Sequence, residues 1–274
     1  MAYHGLSLTD VFWIKHDRES ICFSEINLFT HSLSDAFVDV SLRGKQMTLQ
    51  NAELLDPKDA AGDVSVAGVA PKAWIRQDDR FYLLKDGNSR DVQAELLASR
   101  VARCFQLDQV LYEEDVYKGV PITKSELVTS LDVSISAMEY VDIYAVNHDT
   151  NAIELALNKD AYNYYMMNVI DYLVGNTDRH WGNWGFLVDN RTNRLLKLYP
   201  LMDFNRAFNV YDTLDGARCL TTRESMSQKD AAIDAVKHIG LNQLSEVQRN
   251  WFPDETTWRM FSQRLNLLRA TAEA

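Results

Sequence analysis

The sequence predicts an α+β protein of two lobes, β-rich over residues 1–140 and helical over 141–274. Three observations carry this. A hairpin pattern occupies residues 73–85, the hydrophobic period lengthens to that of a helix at Ser89, and the chain after Asp142 is mostly helical.

The early elements are short. Val11 to Ile14 and Phe37 to Val40 have the β-branched and aromatic character of strands. Ala73 to Arg76 and Arg80 to Lys85 flank the turn-forming Gln77, Asp78 and Asp79, which predicts a β-hairpin. From Ser89, the expected N-cap, Val92, Leu96, Val101 and Phe105 fall near one face of a helix of about four turns. Short strands return near Gln109 to Tyr112 and Ser134 to Tyr140, with the connector between lobes at 138–142. Lys159 to Val174 is a helix stopped by Gly175. Phe186 to Val188 and Leu195 to Leu198 flank a turn and form a second hairpin. Ser227 opens a helix that ends at Gly240, and Asp254 opens the last one, with Trp258, Phe261, Leu265 and Leu268 as its apolar stripe.

Composition narrows the function. The 274 residues are 46% hydrophobic and include 6 Trp, 11 Phe and 12 Tyr, enough for a large core and incompatible with disorder. The net charge of −11 disfavours direct nucleic-acid binding as the main activity, because such a surface repels phosphate backbones. Cys22, Cys104 and Cys219 are too few and too scattered for a disulfide framework or a zinc site, and buried reduced thiols are expected. No signal peptide or membrane span is expected, and a cytoplasmic monomer is the resulting picture.

The chemistry concentrates in residues 175–186, which contain Asp178, Arg179, His180 and Asn183, with Asp203 following the second hairpin. A carboxylate to orient an acceptor, followed by amide and carboxylate oxygens able to hold Mg²⁺, suits phosphoryl transfer. Asp178 and Asn183 are five apart, the interval between base and metal-binding Asn in protein kinases. The alternative is that both are turn residues and Asp203 a cap. Lys85 ends a strand and Glu95 lies ten residues on, in the following helix, where it could pair with that lysine. Each is weak alone, but Lys85, Glu95, Asp178, Asn183 and Asp203 in this order are a specific set. Ser65 to Lys72 precede the hairpin with one glycine, Gly68, and no Gly-rich or Walker pattern occurs.

This ordered set resembles the HipA-like kinases. Ser65, Gly68 and Lys72 are similar to that family's phosphate-loop pattern, Tyr82 to Lys85 to its anchoring strand, and Ala94 to Ala98 to its Glu-bearing helix. Met138, Glu139 and Tyr140 resemble the hinge, Gly175 to Asn183 the catalytic loop, and Leu201 to Asp203 the metal-binding segment. Resemblance spans roughly residues 60 to 210. The Asp-Arg-His order also matches phosphoinositide-type kinases.

The resemblance implies a two-lobed serine/threonine protein kinase using ATP and Mg²⁺. Lys85 would contact the nucleotide phosphates and Glu95 orient it. Backbone around Gly68, Val69 and Ala70 would cover the phosphates, with Lys72 as a further contact. Met138, Glu139 and Tyr140 would hold the adenine through their backbone. Asp178 would be the base, His180 either a catalytic group or a prop, and Asn183 and Asp203 the metal ligands. The family also implies a protein substrate, a small antitoxin-like regulator and autophosphorylation of Ser65.

The sequence departs from the pattern after Asp203, where Phe204-Asn205 replaces Phe-Gly, and a left-handed turn at Asn205 is the expected substitute. The rivals are a small-molecule phosphotransferase and a nucleotide-binding pseudokinase. A His two residues before the catalytic Asp would favour the former; position 176 is Asn. The five core polar residues argue against the latter.

Overall fold

The computed structural model describes residues 2–31, 72–86 and 90–274. The expected strand at Phe37 to Val40, the phosphate-loop residues Ser65, Gly68, Val69 and Ala70, and the N-cap Ser89 lie outside them. The chain divides into two compact units that interleave in sequence. One comprises residues 1–89, 111–135 and 188–194, and the other 90–110, 136–187 and 195–274. The division is therefore not a single cut at residue 140, and the Glu95 helix belongs to the second unit.

In the first unit, β1 (Lys72–Gln77) and β2 (Arg80–Asp86) form the expected hairpin, with Asp78 and Asp79 both at positive φ in its turn. β3 (Tyr112–Tyr117) and β4 (Val120–Glu126) form another, and the four antiparallel strands are ordered β1-β2-β4-β3. Sequence reasoning missed most of this second hairpin. Its signal was Lys118-Gly119, both left-handed, as a two-residue turn requires to match strand twist. Residues 2–31 include a 3-10 turn at Ala2–Gly5 and one short α-helix, α1 (Phe23–Ile26), and Val11 to Ile14 form no strand. Instead Leu6, Leu8 and Leu28 bury against Phe81, with Trp13, Phe29 and Trp74 packed around them. Thr129 Oγ1 donates to Leu8 O, and Ile135 N to Thr9 O, fastening the segment to the unit. Burial, not pairing, organises this stretch.

In the second unit, α2 (Arg90–Ala102), α3 (Met138–Val146), α5 (Gln228–Ile239) and α6 (Glu255–Ala272) all pack on the long α4 (Ala152–Val174). The strand expected to run to Tyr140 ends earlier, because β5 (Val133–Ala137) gives way to α3 at Met138. β5 joins β6 (Gly185–Asp189) and β7 (Arg194–Leu198) in a three-stranded sheet with β6 central.

α4 explains its own shape. Asp160 leaves helical geometry (φ −158°, ψ 60°) and its carboxylate accepts from the Asn163 N–H, so the second part of α4 is capped afresh. From Met166 to Val174 every residue is buried, including Asn168 and Asp171. The expected caps elsewhere are present: Ser227 accepts from Asp230 N and Asp254 from Thr257 N. Cys104 and Cys219 are buried as expected, whereas Cys22 is exposed, since its segment lies at the rim of the leucine cluster.

Candidate active site

The site residues of the second unit are placed by the C-terminal end of α4. Gly175 is its left-handed cap (φ 61°), donating to the carbonyls of Asp171 and Tyr172. A Cβ there would lie 2.5 Å from the Tyr211 ring, so both conformation and space call for glycine. The chain then enters the loop that carries Asp178, His180 and Asn183.

Arg179 organises that loop from below. Its guanidinium forms a bidentate pair with Asp171, at 2.9 Å from Nε and 3.1 Å from Nη2. Nη1 donates to Asn183 O at 2.9 Å and also to Met202 O. One side chain thus ties the helix, the far end of the loop and the residue before Asp203. Phe204 lies under the same guanidinium, at 5.3 Å from its ring centre. Burial alone would pull the Arg179 pKa down, but the Asp171 charge and hydrogen bonds outweigh it and hold it above the ordinary value. Arg179 is thus engaged in an internal ion pair.

Asn176 completes the frame. Its Nδ2 donates to Asp171 Oδ1 (3.1 Å) and Asp203 O (3.4 Å), its Oδ1 accepts from Asp178 N (3.4 Å), and its own carbonyl accepts from Gln228 Nε2 (2.6 Å). Asn183 Nδ2 donates to Asp178 O at 2.9 Å, which closes the loop and leaves Oδ1 as an acceptor with no partner among the described residues. Asp203 is itself left-handed (φ 60°), so the turn expected at Asn205 occurs two residues earlier. A non-glycine residue in that region stores strain, and the carbonyls of Met202 and Asp203, both hydrogen-bonded into the frame, hold it there.

The structure therefore brings Asp178, Asn183 and Asp203 onto two segments locked to one another. Among the described residues the Asp178 carboxylate has no hydrogen-bond partner, and it is partly accessible. His180 is exposed, and its Nδ1 accepts the Gly182 N–H at 3.0 Å. That contact puts the proton of the neutral ring on Nε2. Gly182 permits it, because a Cβ there would sit 2.8 Å from the imidazole. Trp181 Nε1 donates to Leu220 O, and Trp184 is buried, so neither indole is a free stacking platform.

Other expected site residues stand as follows. Lys85 is buried at the end of β2 in the first unit, with its Nζ 5.3 Å from the Tyr112 ring centre, and Lys72 opens β1. Glu95 is fully buried on α2 in the second unit. The hinge assignment needs correction. Met138, Glu139 and Tyr140 are the first turn of α3, and the N–H groups of Met138 and Glu139 are donated to Trp184 O (2.8 Å) and Trp181 O (3.2 Å). These are orphan donors of a helix start that the 175–186 loop satisfies, so neither is left for an adenine.

Sequence reasoning missed Asp171, Asn176 as a frame residue, and Gln228. The signal for Asp171 was visible: a carboxylate inside the most apolar stretch of the chain requires a buried partner.

No protein-family model and no curated protein matches this sequence. Solved structures do. The proinflammatory kinase CtkA of Helicobacter pylori superposes over 76% of this chain and 92% of its own, with a TM-score of 0.57 at 14% identity. The chain has a kinase fold. The fold expected from the HipA-like motifs is thus the fold present. A HipA structure from Shewanella oneidensis MR-1, solved with HipB and operator DNA, matches 85% of this chain and 72% of its own at 15% identity, with a TM-score of 0.41. No described helix is long and apolar enough to cross a membrane.

Proposed function

We propose that the protein is an ATP- and Mg²⁺-dependent HipA-like kinase that phosphorylates Ser or Thr hydroxyls of a protein. The observation that carries this reading is the Arg179 tie, which locks Asp178, Asn183 and Asp203 into one constellation on the kinase fold.

The donor set fits magnesium. Asn183 Oδ1 and the Asp203 carboxylate are hard oxygen ligands, and among the described residues no group of three or more His, Cys, Asp or Glu forms a closed metal cage. Magnesium keeps waters and shares phosphate oxygens, so a two-ligand protein contribution suits it. When bound, it would neutralise charge on the transferring phosphoryl group.

Asp178 orients the acceptor hydroxyl and takes its proton as that oxygen bonds the γ-phosphorus of ATP and the bond from this phosphorus to the β-phosphate oxygen breaks, with ADP as the leaving group. His180 is not the base in this reading. With Nδ1 occupied by the Gly182 N–H, the neutral imidazole presents an Nε2–H donor suited to a phosphate oxygen. Lys85 and Glu95 keep the phosphate-anchoring roles that the family resemblance implies, as does Lys72 its accessory contact. Adenine recognition falls to groups other than the Met138 and Glu139 amides.

The test is incubation of wild type and Asp178→Ala with ATP and Mg²⁺, read by intact mass and peptide mapping. Added phosphate in wild type alone, mapped to Ser65 or another Ser or Thr, is the expected result. Nucleotide bound without transfer to any protein, wild type included, would overturn the kinase reading in favour of a scaffold. Transfer to small metabolites only would favour a small-molecule phosphotransferase. Ser65→Ala tests the autophosphorylation site: an unchanged mass gain excludes it. The antitoxin-like regulator is tested by co-purification from the native source at endogenous levels.

A further inference from the structure

The last helix contributes a group to the base of the catalytic loop. Arg264, on α6, is fully buried, and no carboxylate lies against it as an ion-pair partner among the described residues. Its Nη1 donates to Tyr172 O at 2.5 Å and its Nη2 to Thr213 O at 2.8 Å. The rings of Tyr172 and Tyr211 lie 4.9 and 4.3 Å from the guanidinium carbon.

These contacts complete the end of α4. Asp171 O takes the Gly175 and Asn176 N–H groups, Tyr172 O takes Arg264, Leu173 O takes the Tyr211 hydroxyl, and Val174 O takes Phe208 N. Every terminal carbonyl is satisfied, two of them by backbone or side chain from the segment that follows Asp203. A cation at a helix C-terminus also faces the favourable end of the helix dipole. Arg264 joins Tyr172, three residues before the loop begins, to Thr213, ten residues after Asp203.

We propose that Arg264 is a positioning residue for phosphoryl transfer. It fixes the start of the Asp178 loop relative to the segment carrying Asp203, through Tyr172 where Arg179 acts through Asp171. The kinetic part of this inference rests on the function proposed above. The structural part does not.

The experiment compares wild type, Arg264→Met, Arg264→Lys and the control Arg269→Met, a residue on the same helix whose partners are Gln243 and Glu246. Amide hydrogen exchange and steady-state kinetics are measured for each. In Arg264→Met, the amides of Asn176, Asn183 and Phe208 exchange at least about tenfold faster, while those within α5 and α6 keep wild-type protection. The kcat falls about tenfold or more, the KM for ATP stays within about twofold, and the Mg²⁺ concentration for half-maximal rate rises. Arg264→Lys, which retains the charge and reaches one carbonyl, recovers part of both effects, and Arg269→Met shows neither.

Uniform loss of protection across α4, α5 and α6 would make Arg264 a core filler and overturn the proposal. So would unchanged loop exchange, or altered exchange with unchanged kcat in an active enzyme. If Arg264→Met does not fold, Arg264→Lys decides by the same criteria. If wild type transfers no phosphate, the function proposed above fails and the exchange pattern alone decides the tie.

Discussion

Arg179 and Arg264 are both buried in the second unit, 2% and 0% exposed, and they act on adjacent residues of α4, Asp171 and Tyr172. Their environments are opposite. Arg179 has a carboxylate in bidentate contact, and its pKa is held above the ordinary value despite burial. Arg264 has carbonyls and aromatic faces, and burial pushes its pKa down with only partial opposition from its surroundings. The first arginine is charge-compensated and sits under the loop. The second spends its charge on partial charges: a helix terminus, a loop carbonyl and two ring faces. A buried cation in a kinase fold can thus be held either by a counter-ion or by a cage of dipoles, and the two fail differently when altered.

The largest effect belongs to the carboxylate that the Arg179 side supports. Asp178→Ala lowers the transfer rate about 10²- to 10⁴-fold while ATP binding persists, checked by rate and nucleotide titration on one sample. Loss of nucleotide affinity would make Asp178 structural. Next, Arg179→Ala strands Asp171 in the interior and lowers stability by about 3–5 kcal/mol, measured by denaturant unfolding. Arg264→Ala strands no carboxylate, only neutral acceptors, and costs less, about 1–3 kcal/mol. Equal losses would remove the distinction between the two environments.

The tyrosines around Arg264 sharpen the comparison through pH. Burial raises Tyr172 to about 12 and raises Tyr211 further in the same direction, with Arg264 opposing both. A raised folded pKa means that stability is complete below the ordinary tyrosine value of 10.0 and declines as pH climbs through about 12. Tyrosinate absorbance should therefore appear for these rings together with loss of the helical circular dichroism signal. Early ionisation within an intact fold would show the cage to be open to solvent. The smallest effect is at the periphery: Ser227→Ala removes the cap of α5 at about 1 kcal/mol, seen as a modest fall in Tm with unchanged kinetics.

Local signals explain what was legible beforehand. The β1–β2 hairpin, the caps Ser227 and Asp254 and the stop at Gly175 all rest on short-range chemistry, and all are found. Readings that needed distant contacts fared worse. Val11 to Ile14 have strand propensity but pair with no strand among the described residues, and the neighbouring leucines are buried instead. Met138 to Tyr140 look extended in isolation, yet two carbonyls of the 181–184 stretch accept the donors of a helix start there. Asn205 is the intrinsically easier left-handed residue, but hydrogen bonds to the Met202 and Asp203 carbonyls place the strain at Asp203.

By itself the sequence determined which residue types stand in the order Lys85, Glu95, Asp178, Asn183 and Asp203, and the proposed phosphoryl transfer rests on that order and spacing. Only the tertiary structure decided what holds Asp178, Asn183 and Asp203 in place. Asp171, Asn176, Arg179, Gln228 and Arg264 are scattered over 94 positions of the chain, and their partners are mostly backbone carbonyls, which carry no sequence signature. A buried charge needs a partner, but the partner's identity is fixed by which carbonyls and rings the fold delivers to it.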